Sequence, residues 1–310
     1  MSSNNLDAEV VDIICRCASC GIAEVDDIKL QECDGCDLVK YCSDECQENH
    51  RLEHEAMCKE RAARLRDEIL FKQPESSHLG DCPICCLPIP IGDKKSTLQS
   101  CCSKRICNGC SYAIKARQLQ ENIQPTCIFC RCPVPVTVEE IRENEMKRIE
   151  TNDPVALTDV GREIADEDND RAFRYWTKAA ELGDVEAHYQ LSLSYFRGEG
   201  VEKDEKKEIY HLEEAAIRGH HNARYNLACY ERRNGENERA MKHFIIAASL
   251  GDDGSIQALK KHYKFGRVSK DDFAAALRAH HAAVKAMKSP QREAADLYNR
   301  ISKGLGNFVL

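Results

Sequence analysis

The placement of the cysteines is the strongest constraint on how this chain folds. Of the 19 cysteines in 310 residues, all but Cys229 lie between Cys15 and Cys132. Most form closely spaced pairs, which is how zinc sites use cysteine. Disulfides would need a secretory route, but the N-terminus MSSNNLDAEVVDIICRCASC has no basic flank followed by an apolar core. We therefore expect an intracellular protein, cytoplasmic and/or nuclear, whose cysteines bind metal.

The composition argues against several other classes of function. The formal net charge of -8 disfavours nucleic acid as the main partner, because phosphate contacts need a basic surface. No stretch approaches the roughly 20 apolar residues that span a bilayer, so no membrane association is expected. The chain has no phosphate-binding loop, dinucleotide fingerprint or serine-hydrolase elbow, so no small-molecule substrate is expected.

The first cysteine cluster holds four pairs of candidate ligands. They are Cys17 and Cys20, Cys33 and Cys36, Cys42 and Cys46, and His54 and Cys58. A two-residue gap lets both thiolates of a tight turn reach one metal, whereas a three-residue gap suits one helical turn. Eight ligands are enough for two tetrahedral zinc ions. The metal would supply the folding energy that so small a core lacks.

Together with Tyr41 and Gln47, these residues resemble a MYND-type zinc finger. The resemblance implies that the pairs interleave: Cys17, Cys20, Cys42 and Cys46 bind one zinc, and Cys33, Cys36, His54 and Cys58 bind the other. It also implies binding of short proline-containing peptide motifs. His50 is an alternative ligand, but the family spacing selects His54. The family usually has Trp three residues before that histidine, where this chain has Arg51.

The second cluster again holds four pairs of thiols. They are Cys82 and Cys85, Cys101 and Cys102, Cys107 and Cys110, and Cys127 and Cys130. Residues 82–133 resemble a RING finger, which implies that the first and third pairs bind one zinc and the second and fourth another. Lys104 stands at the usual histidine ligand and, when protonated, has no lone pair for a metal. Cys101 is the predicted replacement, with Cys86 and Cys132 as alternatives.

The RING resemblance also implies contacts with the ubiquitin system. Ile84 stands where ubiquitin ligases place an apolar contact for the ubiquitin-conjugating enzyme. Arg131 stands where many place an arginine that bridges this enzyme and ubiquitin. A common Trp is replaced by a stretch containing Ile114 and Leu119, and Ile128 replaces a common proline. A RING-shaped structural module is the alternative. Closed four-ligand sites leave no open position for chemistry, so the zinc would be structural.

The C-terminal half has an internal repeat. Gly183 recurs as Gly219 and then as Gly251, with spacings of 36 and 32 residues. Each unit has the apolar pattern of two amphipathic helices, and the glycine is predicted to end the second. An incomplete unit, Pro154 to Leu182, precedes these repeats, and a degenerate one follows to about Leu297. The pattern resembles Sel-one-like repeats, relatives of the tetratricopeptide repeat, which implies a concave surface for partner proteins.

The predicted fold is two small zinc-stabilised cross-brace modules with little regular structure, followed by an all-α helical-repeat solenoid. The predicted segments are a flexible N-terminus (1–14), a MYND-type finger (15–58), a helical linker (59–78), a RING-like finger (79–136), a linker helix (137–153), Sel-one-like repeats (154–300) and a C-terminal tail (301–310).

The predicted function is that of a zinc-binding protein-interaction protein with about four structural zinc ions. In the first interpretation it is a RING-type ubiquitin ligase whose MYND finger and repeats recruit substrates. In the second it is a non-catalytic adaptor that binds partner proteins. The expected partners are peptide motifs at the MYND finger, a ubiquitin-conjugating enzyme at the RING-like finger and an unknown protein at the repeats.

Overall fold

The computed structural model describes residues 16–24, 28–92 and 95–306, so the predicted N-terminal segment 1–14 lies outside the described residues. The described part contains twelve helices and two small antiparallel sheets. This confirms the predicted fold class of cysteine-rich modules followed by helical repeats. None of the described helices is long and apolar enough to cross a bilayer. The chain divides into two compact units, Met1–Leu70 and Phe71–Leu310.

The described part of the first unit contains a two-stranded sheet and one long helix. Strand β1 (Gln31–Glu32) pairs with β2 (Lys40–Tyr41), and α1 spans Asp44–Leu70. The Arg61 side chain on α1 donates two hydrogen bonds of 2.6 Å to the carboxylate of Asp37, which ties the helix to the turn that ends at Cys36. The segment predicted as a linker from residue 59 is therefore, as far as Leu70, the second half of α1.

The second unit begins with the second cysteine-rich module. Strands β3 (Ser96–Gln99) and β4 (Lys104–Cys107) form a hairpin in which Gln99 pairs with Lys104, so residues 100–103 make the turn. Helix α2 (Asn108–Gln120) follows directly. The small core of the module consists of thiols and aliphatic side chains: Cys82, Ile89, Ile106, Cys107 and Cys110.

Helix α3 (Val138–Glu150) connects this module to the repeats. It begins with a capping box, in which Thr137 accepts a hydrogen bond from the backbone of Glu140 and the Glu140 side chain accepts one in return. Three residues separate α3 from helix α4 (Pro154–Ile164), which has Asp153 as its N-cap and proline in its first turn. These signals explain why the chain turns sharply here.

The remaining helices form antiparallel pairs that match the predicted repeat. They are α4 with α5 (Asn169–Glu181), α6 (Val185–Arg197) with α7 (Glu205–Ile217), α8 (His221–Arg233) with α9 (Asn237–Ser249), α10 (Asp253–Lys264) with α11 (Lys270–Ala286), and finally the single helix α12 (Pro290–Gly306). Gly183, Gly219 and Gly251 follow α5, α7 and α9 with φ of 89°, 85° and 97°. Glycine adopts this left-handed conformation without a Cβ clash, so the predicted helix ends are confirmed.

Helix α12 extends six residues beyond the predicted end of the repeats at residue 300 and packs against α2 of the second module. The rings of Tyr298 and Tyr112 lie 5.3 Å apart. Asp296 accepts a 3.0 Å hydrogen bond from Lys95. The last helix of the chain thus belongs structurally to the second module as well as to the repeats.

Candidate metal centres

The structure brings the sixteen predicted ligands together in four groups, each with the partners predicted for it. The groups are Cys17, Cys20, Cys42 and Cys46; Cys33, Cys36, His54 and Cys58; Cys82, Cys85, Cys107 and Cys110; and Cys101, Cys102, Cys127 and Cys130. Within each group the ligand atoms all lie within 4.8 Å of one another. Both cysteine clusters therefore have the interleaved pairing of a cross-brace.

The sulfur positions suit tetrahedral zinc. Zinc–sulfur bonds of about 2.3 Å in a tetrahedron place the sulfurs about 3.8 Å apart. One sulfur–sulfur distance in each group, taken in the order above, is 3.5, 3.7, 3.8 and 3.7 Å. A disulfide needs about 2.05 Å, and all of the described cysteines are free. The four clusters are thus suited to binding structural zinc.

Three of the Cys-x-x-Cys turns have the same backbone geometry. The residue after the second cysteine is Gly21, Cys86 or Arg131, and its N–H donates to the carbonyl of the first cysteine at 2.9, 2.8 and 2.8 Å respectively. Their φ values of 74°, 55° and 61° are all left-handed. The recurrence of one turn in both modules explains why both thiols of each pair face the same side.

Backbone N–H groups favour the thiolate forms in these turns. Burial alone raises the pKa of Cys82, but the N–H groups of Cys107, Cys85 and Ile84 outweigh it and lower the pKa to about 7. Burial likewise raises the pKa of Cys17, but neighbouring backbone N–H groups outweigh this effect and lower the pKa to about 6. Because zinc binds the thiolate, this backbone arrangement favours metal binding.

His54 is placed as a ligand and His50 is not. His54 is buried, and its Nε2 lies 3.2 Å from the Sγ of Cys36. The His50 ring stacks on the His54 ring at 5.7 Å, and the Tyr41 hydroxyl lies 3.0 Å from the Nδ1 of His50. His50 therefore packs against the ring of the ligand His54 and is not itself a member of the ligand group. Arg51, at the position of the usual Trp, is exposed and pairs with Glu48 at 3.1 Å.

The adjacent Cys101 and Cys102 both reach the same group because they lie in the β3–β4 turn. The N–H groups of Cys102 and Ser103 both donate to the carbonyl of Gln99, at 3.2 and 2.8 Å. Ser103 then takes a left-handed φ of 53°. The Sγ of Cys101 lies 3.3 Å from that of Cys130. This is the bent backbone that two neighbouring thiols need in order to face one metal.

The other candidates around this site lie outside the group. Lys104 is an exposed residue of β4. Cys86 and Cys132, the alternatives to Cys101, are both exposed, and neither belongs to any of the four groups of the described residues. Cys101 is therefore the eighth ligand that the geometry favours.

Arg292 on α12 is a residue of this site that sequence reasoning missed. Its Nη2 donates to the Sγ of Cys85 at 3.4 Å and to the carbonyl of Leu87 at 3.2 Å. Its Nη1 donates to the carbonyls of Pro88 and Met287 at 2.7 and 2.6 Å. The guanidinium is buried and offsets the negative charge that thiolate ligands bring to the site.

Two glycines next to ligands are required by close packing. A Cβ on Gly35, in the CDGC turn, would lie 2.8 Å from the Sγ of Cys58. A Cβ on Gly109, in CNGC, would lie 2.7 Å from both the Cγ and the backbone nitrogen of Arg292. Both distances are shorter than a Cβ tolerates, so each glycine makes room for a neighbour of a metal site.

The two predicted contacts for a ubiquitin-conjugating enzyme are both accessible. Ile84 lies within the Cys82–Cys85 turn and is 38% exposed, and Arg131 is also exposed. Of the residues that stand in for the common Trp, Ile114 is half-buried against the module core, whereas Leu119 is 84% exposed.

A fifth polar cluster lies between the start of the second unit and the repeats. The Oε2 of Glu186 is 3.1 Å from the Nε2 of His220 and 3.6 Å from the Nε2 of His78, so the three could be taken for metal ligands. His220 is the N-cap of α8, and its Nδ1 accepts a hydrogen bond from Ala223 at 3.1 Å. The neutral ring then carries its proton on Nε2 and donates to Glu186, which leaves no lone pair for a metal. Burial lowers the pKa of His220 to about 4 and keeps the ring neutral.

Comparisons with known proteins agree with two of the three sequence resemblances. The family model of the MYND finger matches residues 17–58. The family model of the Sel1 repeat matches residues 160–184, 185–220 and 221–252. The predicted MYND-type finger and Sel-one-like repeats are thereby confirmed. No curated protein matches the chain.

Among solved structures, several are similar to this chain. A Sel1 repeat protein from Oxalobacter formigenes aligns with 48% of this chain and 65% of its own length, at 28% identity and a TM-score of 0.43. A protective antigen of uropathogenic Escherichia coli strains, which displays an SLR fold, aligns with 50% of this chain and 34% of its own, at 26% identity and a TM-score of 0.41. An immunity protein from Pseudomonas aeruginosa aligns with 49% and 64%, at 18% identity and a TM-score of 0.38. In each case the chain spans less than two thirds of the other protein.

The modules and the ligand groups together define the general class of the protein. A zinc finger and a run of Sel1 repeats are both protein-interaction modules. The four Cys/His groups suit structural zinc. The chain is therefore a zinc-binding protein-interaction protein.

Proposed function

We propose that residues 79–136 form a RING finger and that the protein is a RING-type ubiquitin ligase of the cytoplasm or nucleus. In this proposal the MYND finger binds short proline-containing peptides, the RING finger binds a ubiquitin-conjugating enzyme, and the repeats bind the substrate. The observation that carries the proposal is the interleaving of the second cluster, in which the first cysteine pair groups with the third and the second with the fourth.

The accessible positions of Ile84 and Arg131 support the proposal. A RING finger carries out no bond chemistry itself, because its zinc sites are closed by four ligands. It holds the ubiquitin-conjugating enzyme in a reactive pose, so its activity depends on side chains at the contact surface. An apolar residue and a guanidinium on two different metal-binding turns are the kind of contacts that this role requires.

The test is autoubiquitination by the full-length, zinc-loaded protein with a broad panel of ubiquitin-conjugating enzymes. We expect activity with at least one enzyme and a loss of at least tenfold in Arg131→Gly and in Ile84→Ala. Glycine is the informative substitution because Arg131 has a φ of 61°, which glycine adopts without strain. Cys86→Ser, at an exposed cysteine outside the ligand groups, is the matched control and should stay active.

The second candidate function is a non-catalytic adaptor. One observation favours it: Ile114 packs half-buried against the core and presents no exposed aromatic ring where ubiquitin ligases commonly have Trp. An adaptor would bind partner proteins with all four zinc ions in place but would show no ubiquitin transfer. Absence of transfer across the whole panel, with the zinc content intact, would reject the ligase and leave the adaptor.

A further inference from the structure

A large apolar groove lies in the second unit, between α2, the β3–β4 hairpin and helices α3 and α4. Its volume is about 910 Å³, near the upper end of the range of roughly 300–1,000 Å³ seen for binding pockets. Among the side chains lining it, Leu119, Ile123, Ile128 and Val136 are 84%, 47%, 46% and 90% exposed. Several large apolar side chains exposed along one groove are typical of a surface that a partner covers.

A buried carboxylate also lines this groove. Glu145 on α3 is only 6% exposed, and its Oε2 has no hydrogen-bond partner among the described residues. Burying a charge without a partner is costly. Burial, together with the nearby carboxylates of Glu163 and Asp159, raises the pKa of Glu145 to about 7, against the opposing effect of Arg142. A cation from outside would relieve this unfavourable arrangement.

The charged residues around the groove indicate which charge its ligand carries. Among the described residues, Lys115, Glu145 and Asp159 are the charged ones that line it, so carboxylates outnumber cations there. Asp159 pairs with Arg162 at 3.3 Å, whereas the Oε2 of Glu145 has no such partner. A ligand with a positively charged group beside apolar groups therefore complements this surface better than an acidic or purely apolar one.

We propose that the groove binds a short segment of a partner protein in which apolar side chains lie next to a lysine or arginine. The apolar side chains cover Leu119 and Val136, and the cation pairs with Glu145. This goes beyond the proposed ligase function, because binding requires no transfer of ubiquitin and neither Ile84 nor Arg131 lines the groove, whereas Ile114, Leu119 and Ile128, which stand at other RING contact positions, do.

The experiment begins with a phage-displayed random peptide library selected on the full-length, zinc-loaded protein at pH 7.5. We expect selected peptides to combine a lysine or arginine with two or more large apolar residues. Their affinities are then measured by fluorescence anisotropy on the wild type and on three variants. Glu145→Gln and Leu119→Ser should each weaken binding at least tenfold. Glu143→Gln, an exposed glutamate on the same helix, should change it less than twofold.

Glu145→Gln separates lost binding from lost folding. It removes a buried charge that has no partner at Oε2, so the variant should unfold at a higher temperature than the wild type at pH 8 while it binds the peptide more weakly. A damaged fold would lower both quantities. Glu145→Lys adds a test of sign, since it should shift the selection towards peptides with Asp or Glu.

Three results would overturn the proposal. The first is selected peptides with no enrichment of basic residues. The second is binding that Glu145→Gln and Leu119→Ser leave unchanged. The third is a dimer in light scattering that Leu119→Ser dissociates, which would assign the groove to a second copy of this chain. The two proposals fail separately through Glu145, which stands at none of the RING contact positions: Glu145→Gln should weaken peptide binding and leave any autoubiquitination unchanged.

Discussion

The guanidinium of Arg292 lies 3.4 Å from the sulfur of Cys85, although 207 residues separate them in the chain. The last helix therefore reaches back to a candidate zinc ligand of the second module. The same guanidinium donates to three backbone carbonyls. It thus couples the metal site to the C-terminal end of the repeats.

Replacing Arg292 should destabilise the second unit and loosen one zinc ion. Arg292→Ala leaves buried carbonyls without donors and removes a cation beside thiolates, which should cost about 2–4 kcal/mol of unfolding free energy. Urea unfolding measures the loss of stability. A zinc-sensitive chelating dye should remove one of the four zinc ions faster from the variant than from the wild type. Arg300→Ala, at an exposed arginine of the same helix, should behave as the wild type. An equal effect of both substitutions would contradict this coupling.

Two glycines of the first module, Gly35 and Gly21, should respond differently to replacement by alanine. Gly35→Ala places a Cβ 2.8 Å from the Sγ of Cys58 and should release the zinc held by Cys33, Cys36, His54 and Cys58. Gly21 has a φ of 74° but open space around it, so Gly21→Ala should cost only about 1–2 kcal/mol of backbone strain and keep its zinc. Zinc content after gel filtration distinguishes the two, and loss of metal from both variants would contradict the packing argument.

The parts of the site that could be predicted from the sequence depend on short spacings. Pairs such as Cys82 and Cys85 have few ways to face a metal, so their spacing predicts their grouping once a cross-brace is assumed. The repeat could be predicted for a similar reason, because Gly183, Gly219 and Gly251 follow equivalent helices. Local backbone preferences decide both features.

Features that depend on tertiary contacts could not be predicted in this way. Nothing around Arg292 in the chain indicates that it contacts Cys85. Glu145 lies in a charged helix where it resembles the exposed glutamates around it. The pairing of His220 with Glu186 depends on the stacking of two repeats, which the spacing of 36 residues indicates only in outline.

The buried carboxylate predicts a pH dependence of stability. The folded pKa of Glu145 is about 7, above its ordinary value of 4.5, so the folded chain holds more protons between these values and loses stability as pH rises through them. Glu145→Gln removes this dependence. Its advantage in unfolding free energy should grow by about 1 kcal/mol from pH 6 to pH 8, as measured by urea unfolding. Glu143→Gln should show no such growth, and a constant difference for Glu145→Gln would contradict the burial argument.

The geometry of the β3–β4 turn predicts which of Cys86, Cys101 and Cys132 is needed for zinc binding. Cys101→Ser should lose one zinc ion, because its Sγ lies 3.3 Å from that of Cys130 and serine is a poor ligand. Cys86→Ser and Cys132→Ser should keep the full metal content, since both cysteines are exposed and outside the ligand groups. The comparison uses inductively coupled plasma mass spectrometry on all three purified variants. Loss of metal from Cys132→Ser, with Cys101→Ser unaffected, would assign the eighth ligand to Cys132.

The number of zinc ions in the intact protein decides whether both cysteine clusters bind metal. Native mass spectrometry of the full chain, purified without chelators, should show four zinc ions per chain, two for each cysteine cluster. Acidification should remove them and unfold both modules, because the metal supplies their folding energy. A count of two, unchanged when Cys82 and Cys127 are replaced by serine, would show that the second cluster binds no zinc.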